Sequence, residues 1–254
     1  MTWSFRFAPL LLLVAFAVPA RAQDEGFELL DRGRLVAYHG DTPIATERFL
    51  YERSADSLVI IAHADRRKRA PDGTDKPYKK SMTLVARAED FGLIRYTSTE
   101  SFYQHVISRN ISPNDTMLVI FMEVDGRGVG SSIDRPPGRF FAVDQGLFSL
   151  FDVVARNVHG RLFGPRPLQL VVLGEDSKAV EATVSPAGHD TVGWGGRRVI
   201  TERVVLADSS GTFTLWLSPE GHLLRLENEK LGLVVMREPP EAPAPARRRR
   251  SANR

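Results

Sequence analysis

The sequence predicts a mainly β protein: an antiparallel sheet curved into an open or half-closed barrel, with one mid-chain helix against its concave face. Three observations carry that prediction. Residues 33–124 and 197–238 read as strand after strand, rich in β-branched and aromatic residues. Turn residues (Gly, Pro, Asn, Asp) separate these runs at short intervals. One segment, FAVDQGLFSLFDVVARNVHG at 141–160, stands apart with the 3.6-residue spacing of an amphipathic helix.

The chain of 254 residues opens with Arg6, an apolar run Pro9–Val18 and a small-x-small site, Ala20-Arg21-Ala22. Basic start, apolar core and small-residue exit are the parts of a secretory leader. The run is shorter than the roughly 20 residues a spanning helix needs. The expected organisation is a signal peptide at 1–22, a single β-rich domain at 23–238, and a disordered Arg-rich tail at 239–254. Periplasmic or secreted localisation follows from cleavage near Ala22. A domain of this size is expected to bury roughly 70% of its unfolded surface.

The sequence holds no cysteine, which excludes disulfides, a thiolate nucleophile and a thiolate metal site within it. Net charge is +3, and Arg247, Arg248, Arg249, Arg250 and Arg254 supply it from the tail. Without tail and leader the body is mildly acidic. The tail, PPEAPAPARRRRSANR, has nothing apolar larger than Pro or Ala and cannot repay the entropy of ordering.

Taken in order, RLVAYHGDTPIATERFLYER reads as a hairpin turning at His39-Gly40-Asp41, with Pro43 at a strand start. SLVIIAHA is a buried strand. Asp65–Lys80, DRRKRAPDGTDKPYKK, reads as an exposed basic loop. SMTLVARA places Met82, Leu84 and Ala86 on one face. GLIRYTST, FYQHVIS and TMLVIFMEV follow as strands. RRVITERVVL, TFTLWLS, HLLRLENE and LGLVVMRE close the body, with Ser218-Pro219-Glu220-Gly221 as a type I turn. The two strand-rich halves share a loose likeness, Ala45-Thr46-Glu47-Arg48 against Ile200-Thr201-Glu202-Arg203. It is too slight to be a repeat.

The helix is expected from Asp144, as N-cap, to Gly160 at C′. Leu147, Leu150, Phe151, Val154 and Val158 fall on one face, and Phe148 widens the stripe.

No catalytic signature stands out. G-x-S-x-G and H-E-x-x-H are absent, and the six histidines have no partners at i+3 or i+4. No carboxylate pair singles itself out, and no cofactor or metal site is expected. GWGG at 193–196 reads as a turn placing Trp194 at a rim. The basic loop (Arg66, Arg67, Lys68, Arg69, Lys76, Lys79, Lys80) and the tail read as solvated. Weak contact with an anionic membrane surface is their functional alternative. No nucleic-acid fold signature accompanies them.

A curved sheet with no second sheet has a large apolar concave face, and one helix plugs it only partly. The residues expected to border the remaining space and bind an apolar ligand are Leu147, Phe148, Phe151, Val154, Trp194 and Trp216. This predicts a non-enzymatic binding or carrier protein. An exported hydrolase with a site hidden in the fold and a cell-envelope scaffold are the alternatives.

The layout resembles the LolA/LolB-type lipoprotein-carrier fold, an unclosed antiparallel half-barrel with helices in its mouth. The resemblance covers about residues 25–237. It rests on the leader, the strand order, the helix after DRPPGRFFAVDQG and the closing LWLSPEGHLLRLENEKLGLVVMRE. It implies an apolar cavity for acyl chains or another lipidic ligand. The absent cysteine matches a soluble carrier of that kind.

Overall fold

The computed structural model describes residues 26–240 apart from 145 and 175. The expected leader at 1–22 and the arginines of the tail lie outside the described residues.

Among the described residues, fifteen strands form one continuous sheet. They are β1 Glu28–His39, β2 Thr42–Arg53, β3 Ser57–Arg69, β4 Asp75–Arg87, β5 Leu93–Phe102, β6 His105–Pro113, β7 Met117–Val124, β8 Arg127–Asp134, β9 Phe140–Asp144, β10 Arg166–Leu173, β11 Lys178–Trp194, β12 Arg197–Asp208, β13 Gly211–Leu217, β14 Leu223–Asn228 and β15 Leu233–Arg237. Their spatial order is β8 through β1, then β15 down to β9, and the sheet is not closed into a barrel. Each half is a meander of neighbouring hairpins. One ladder joins the halves, with Leu35 of β1 opposite Arg237 of β15. All pairs are antiparallel except β9 with β10.

The mainly β prediction with one helix on the concave face holds. Period-two alternation makes it so: Phe49 and Tyr51, Leu58, Ile60 and Ala62, and Met82, Leu84 and Ala86 all point inward. Helix α1, Ser149–Val158, completes this core with Leu150, Phe151, Val153 and Val154.

Several boundaries differ from the sequence reading. Asp65–Lys80 is no loop: β3 and β4 run through it, pairing Asp65 with Lys79 and Arg69 with Asp75. The charges that suggested a loop alternate faces. Arg66 turns in to stack over Tyr78 at 4.0 Å, and Lys80 is buried. FYQHVIS is not one strand, because Tyr103, at φ 58, sits in the turn between β5 and β6. The helix starts later than Asp144, which ends β9 and is buried. Gly160 does adopt the left-handed conformation of a C′ residue, with φ 64. The Ser218–Gly221 turn closes as read, Gly221 N donating to Ser218 O at 2.8 Å.

Candidate functional site

Ten residues of helix cannot stand alone in water, so the sheet must hold α1. Its N-cap position is Phe148, whose side chain caps nothing. The free N–H groups of Phe148 and Ser149 instead donate to the carboxylate of Glu47, at 2.5 and 3.1 Å. Glu47 is in phase with Phe49 and Tyr51 on β2, so it faces inward. Burial pushes its carboxyl up to about 7, against the hydrogen bonds from Ser149 and Phe148; the charge of Asp144 pushes the same way as burial. At the other end, Glu202 of β12 accepts from His159 Nδ1 at 2.7 Å and from Gly160 N at 3.1 Å. Nε2 of His159 faces Pro219 O at 3.1 Å. The two Thr-Glu-Arg tripeptides thus grip the two ends of the helix.

Between the ends, Asp152 accepts from Leu223 N at 2.6 Å and from Arg156 Nε at 2.8 Å. Arg156 also bonds Asp31 of β1 and meets His222 Nδ1 at 2.6 Å, with its guanidinium 4.8 Å from the centre of the Tyr51 ring. Arg237 of β15 donates to Asp31 at 2.5 and 3.1 Å. Asp31 is held well below the usual carboxylate range. Burial opposes its ionisation, but hydrogen bonds from His222 and Arg237 and the charges of Arg237 and Arg156 outweigh it. This cluster fastens the helix to the seam between the two halves of the sheet.

Beside it lies a cavity of about 210 Å³. Leu30, Leu58, Phe91, Val153 and Tyr51 form its wall; Arg156, His159 and Glu220 form its rim. Phe91 sits at φ 61, a conformation that costs a bulky residue on the order of 1–3 kcal/mol.

A second polar group lies toward the helix N-terminus, on the concave face of β4, β5 and β6. Lys80 bonds Asp144 at 2.6 Å and Glu100 at 2.9 Å. Tyr96 donates to Asp144, and Arg109 pairs with Glu100. Burial raises the Asp144 carboxyl, against the charge and hydrogen bond of Lys80 and the hydrogen bond of Tyr96. Opposite charges meet pairwise here, as buried ions require.

The six residues expected to bind a ligand do not come together. Leu147, Phe151 and Val154 lie in the core, Leu147 with no exposed surface and Phe151 packed on Phe213 at 4.8 Å between ring centres. Phe148 is partly buried against the same core. Trp216 lies between the core residues Leu215 and Leu217, so alternation turns it to the opposite face. There its Nε1 donates to Asp190, with Arg225 stacked over the ring. Trp194 donates to Arg237 O at 3.0 Å. The far end of the β11–β12 hairpin, which runs past β13, carries Asp190 and Trp194 there. The cavity is lined instead by Val153 and Arg156, on the helix flank next to the apolar stripe. The repeated Thr-Glu-Arg was the visible signal for the helix clasp. Glu47, in phase with Phe49 and Tyr51, was legible as an inward carboxylate.

Among the described residues no three His, Asp or Glu side chains group to hold a metal ion. Neither a family model nor a curated protein matches the chain. Among solved structures, it is similar to a beta-barrel-like protein of domain of unknown function DUF1849 from Brucella abortus. The match covers 83% of this chain and 97% of that chain, at 9% sequence identity and a TM-score of 0.52. At that identity the likeness speaks for the fold alone: a β-barrel-like architecture.

Proposed function

We propose that the chain is an exported binding protein for a single short apolar chain, a carrier in the broad sense of the lipoprotein-carrier resemblance. The observation that supports this is the cavity beside α1, with its apolar wall of Leu30, Leu58, Phe91 and Val153 and its polar rim. It is smaller than the roughly 300–1,000 Å³ typical of sites for drug-sized ligands. One medium-length acyl chain suits it; the several chains of a lipoprotein do not.

Chain length tests the reading. Saturated fatty acids of increasing length should displace a fluorescent fatty-acid probe from the delipidated protein. Affinity should rise about fourfold per methylene, the equivalent of ~0.8 kcal/mol, and flatten at about eight to ten carbons once the cavity is full. Leu30→Trp, at the half-exposed mouth, should weaken binding about tenfold without unfolding the chain. Absence of binding, or affinity that climbs unchanged to sixteen carbons, would refute the assignment.

A second reading, an envelope scaffold that pairs through its sheet edge, is favoured by β8. Seven of the eight positions of that strand are exposed, and its outer edge has no partner strand among the described residues.

A further inference from the structure

The chain leaving α1 carries a feature that the cavity does not use. Residues 159–166 run HGRLFGPR. Leu162 turns into the core and holds the loop in place, while the next side chain, Phe163, is 97% exposed. A Phe so placed on an anchored loop keeps nearly its whole apolar surface in water. Beside the loop, a groove of about 460 Å³ is lined by Leu162, Ile200 and Pro219, and Ile200 is itself 67% exposed.

Positive charge surrounds these apolar groups. Arg161 and Arg166 flank Phe163 in sequence and are exposed, and neither has a carboxylate partner among the described residues. Arg139 directly precedes β9, the strand next to β10. Its guanidinium donates twice to the Asp90 carbonyl, from Nε at 2.7 Å and from Nη2, and lies over the Phe141 ring. Burial lowers its pKa, the charge of Asp90 opposes that, and the neighbouring charges of Arg161 and Arg166 add to the lowering, so the three guanidinium groups share one field. Of the nearby acids, Asp90 pairs with Arg87 and Glu202 with His159 and Gly160, while Glu220, next to Pro219, is exposed on the side of His159. An exposed aromatic ring flanked by two arginines without a carboxylate partner matches the headgroup region of an anionic bilayer, apolar below and negative above.

We propose that the 159–166 loop docks this end of the half-barrel onto an anionic lipid surface. Phe163 enters the boundary between headgroups and acyl chains, and Arg139, Arg161 and Arg166 meet the phosphates. This differs from the contact expected of the basic segment 65–80, whose Arg66 and Lys80 are committed inside the sheet. It stands independently of the acyl-chain cavity, although His159 borders both the groove and that cavity.

The sequence contains no cysteine, so Phe163→Cys gives a unique site for an environment-sensitive fluorophore on the full chain. The label should shift to the blue with vesicles of mixed phosphatidylglycerol and phosphatidylcholine at low salt. It should respond little to pure phosphatidylcholine, and not at all to short duplex DNA. In the unlabelled chain, Phe163→Ala should weaken vesicle association about tenfold. Arg161→Ala with Arg166→Ala should weaken it about twenty-five-fold, at roughly fivefold per arginine. These side chains are exposed, so melting curves should overlay the parent. Three results would overturn the proposal: no association with anionic vesicles; co-sedimentation with an unshifted label, which assigns the contact to another part of the chain such as Arg247–Arg250; or an equal response to duplex DNA, which assigns the arginines to a soluble polyanion.

Discussion

Glu47 ties pH to stability. Its carboxyl lies at about 7 in the folded chain against an ordinary value of 4.5, because burial penalises the charge more than the helix N–H groups reward it. Between those values the folded state binds more protons than the unfolded state. The residue's contribution is therefore fully present below about pH 4.5 and is lost as pH rises through 7. At about 1.4 kcal/mol per unit, the loss across the window is on the order of 3 kcal/mol. Asp31 works in the opposite direction: its depressed value makes a contribution that is lost only in strong acid, below this window. Urea unfolding at pH 5 and pH 7.5 should show the parent losing about 2.4 kcal/mol more than Glu47→Gln, which keeps an acceptor for the helix N–H groups. Parallel losses in the two proteins would show that Glu47 does not carry the effect. The inward face of Glu47 was legible from Phe49 and Tyr51 two and four residues on. Its partner was not, because nothing local says which backbone N–H groups, 101 and 102 residues away, will reach it.

At the scale of elements, helix α1 shows where sequence reasoning holds and where it fails. The apolar spacing of Leu150, Phe151, Val154 and Val158 identified the helix and its buried face. The same spacing suggested a cavity along that stripe, yet the stripe is packed shut and the space lies on the flank of Val153 and Arg156. Periodicity reports which side is buried, not how well the opposite surface fills it. The hairpin β3–β4 failed for a related reason. Its charges looked like a loop, but strands with ions on both faces are viable where partners exist, and Asp144 and Glu100, the partners of Lys80, come from β9 and β5. What the pattern could not supply is the polar fastening of the helix to β14. Asp152 accepts from the backbone N–H of Leu223 and from Arg156, and it is itself buried. Asp152→Ala should leave a buried N–H unpaired and Arg156 with one acidic partner fewer. The expected loss is about 3–5 kcal/mol, read as a lower denaturant midpoint at unchanged slope. A loss near 1 kcal/mol would mean that water replaces the carboxylate and that apolar packing alone holds the helix.

Across the whole molecule, stability should grade from the seam to the edge. The inner part of β1 is paired on both sides, with β2 and β15, and the Asp31, Arg156 and Arg237 cluster crosses the seam. At the far margin, β8 pairs only with β7. Asp125 and Gly126, both at positive φ, form a two-residue turn of the primed type, so Val124 and Arg127 face each other as a hydrogen-bonded pair. Pairing then alternates along the strand. Arg127, Val129, Ser131 and Ile133 bond to β7, and the amides of Gly128, Gly130, Ser132 and Asp134 point outward. NMR-detected hydrogen exchange should find these four nearly unprotected in the monomer. The β7-facing amides should open by local fraying, while the amides of Leu35, Ala37 and Val235 at the seam exchange only by global unfolding. A single protection level throughout would remove the gradient and make the sheet one cooperative unit to its margin. Protection confined to the four outward amides, and lost on dilution, would mean that another strand covers β8 in solution; the free edge would then be the working surface, and the scaffold reading would displace the carrier.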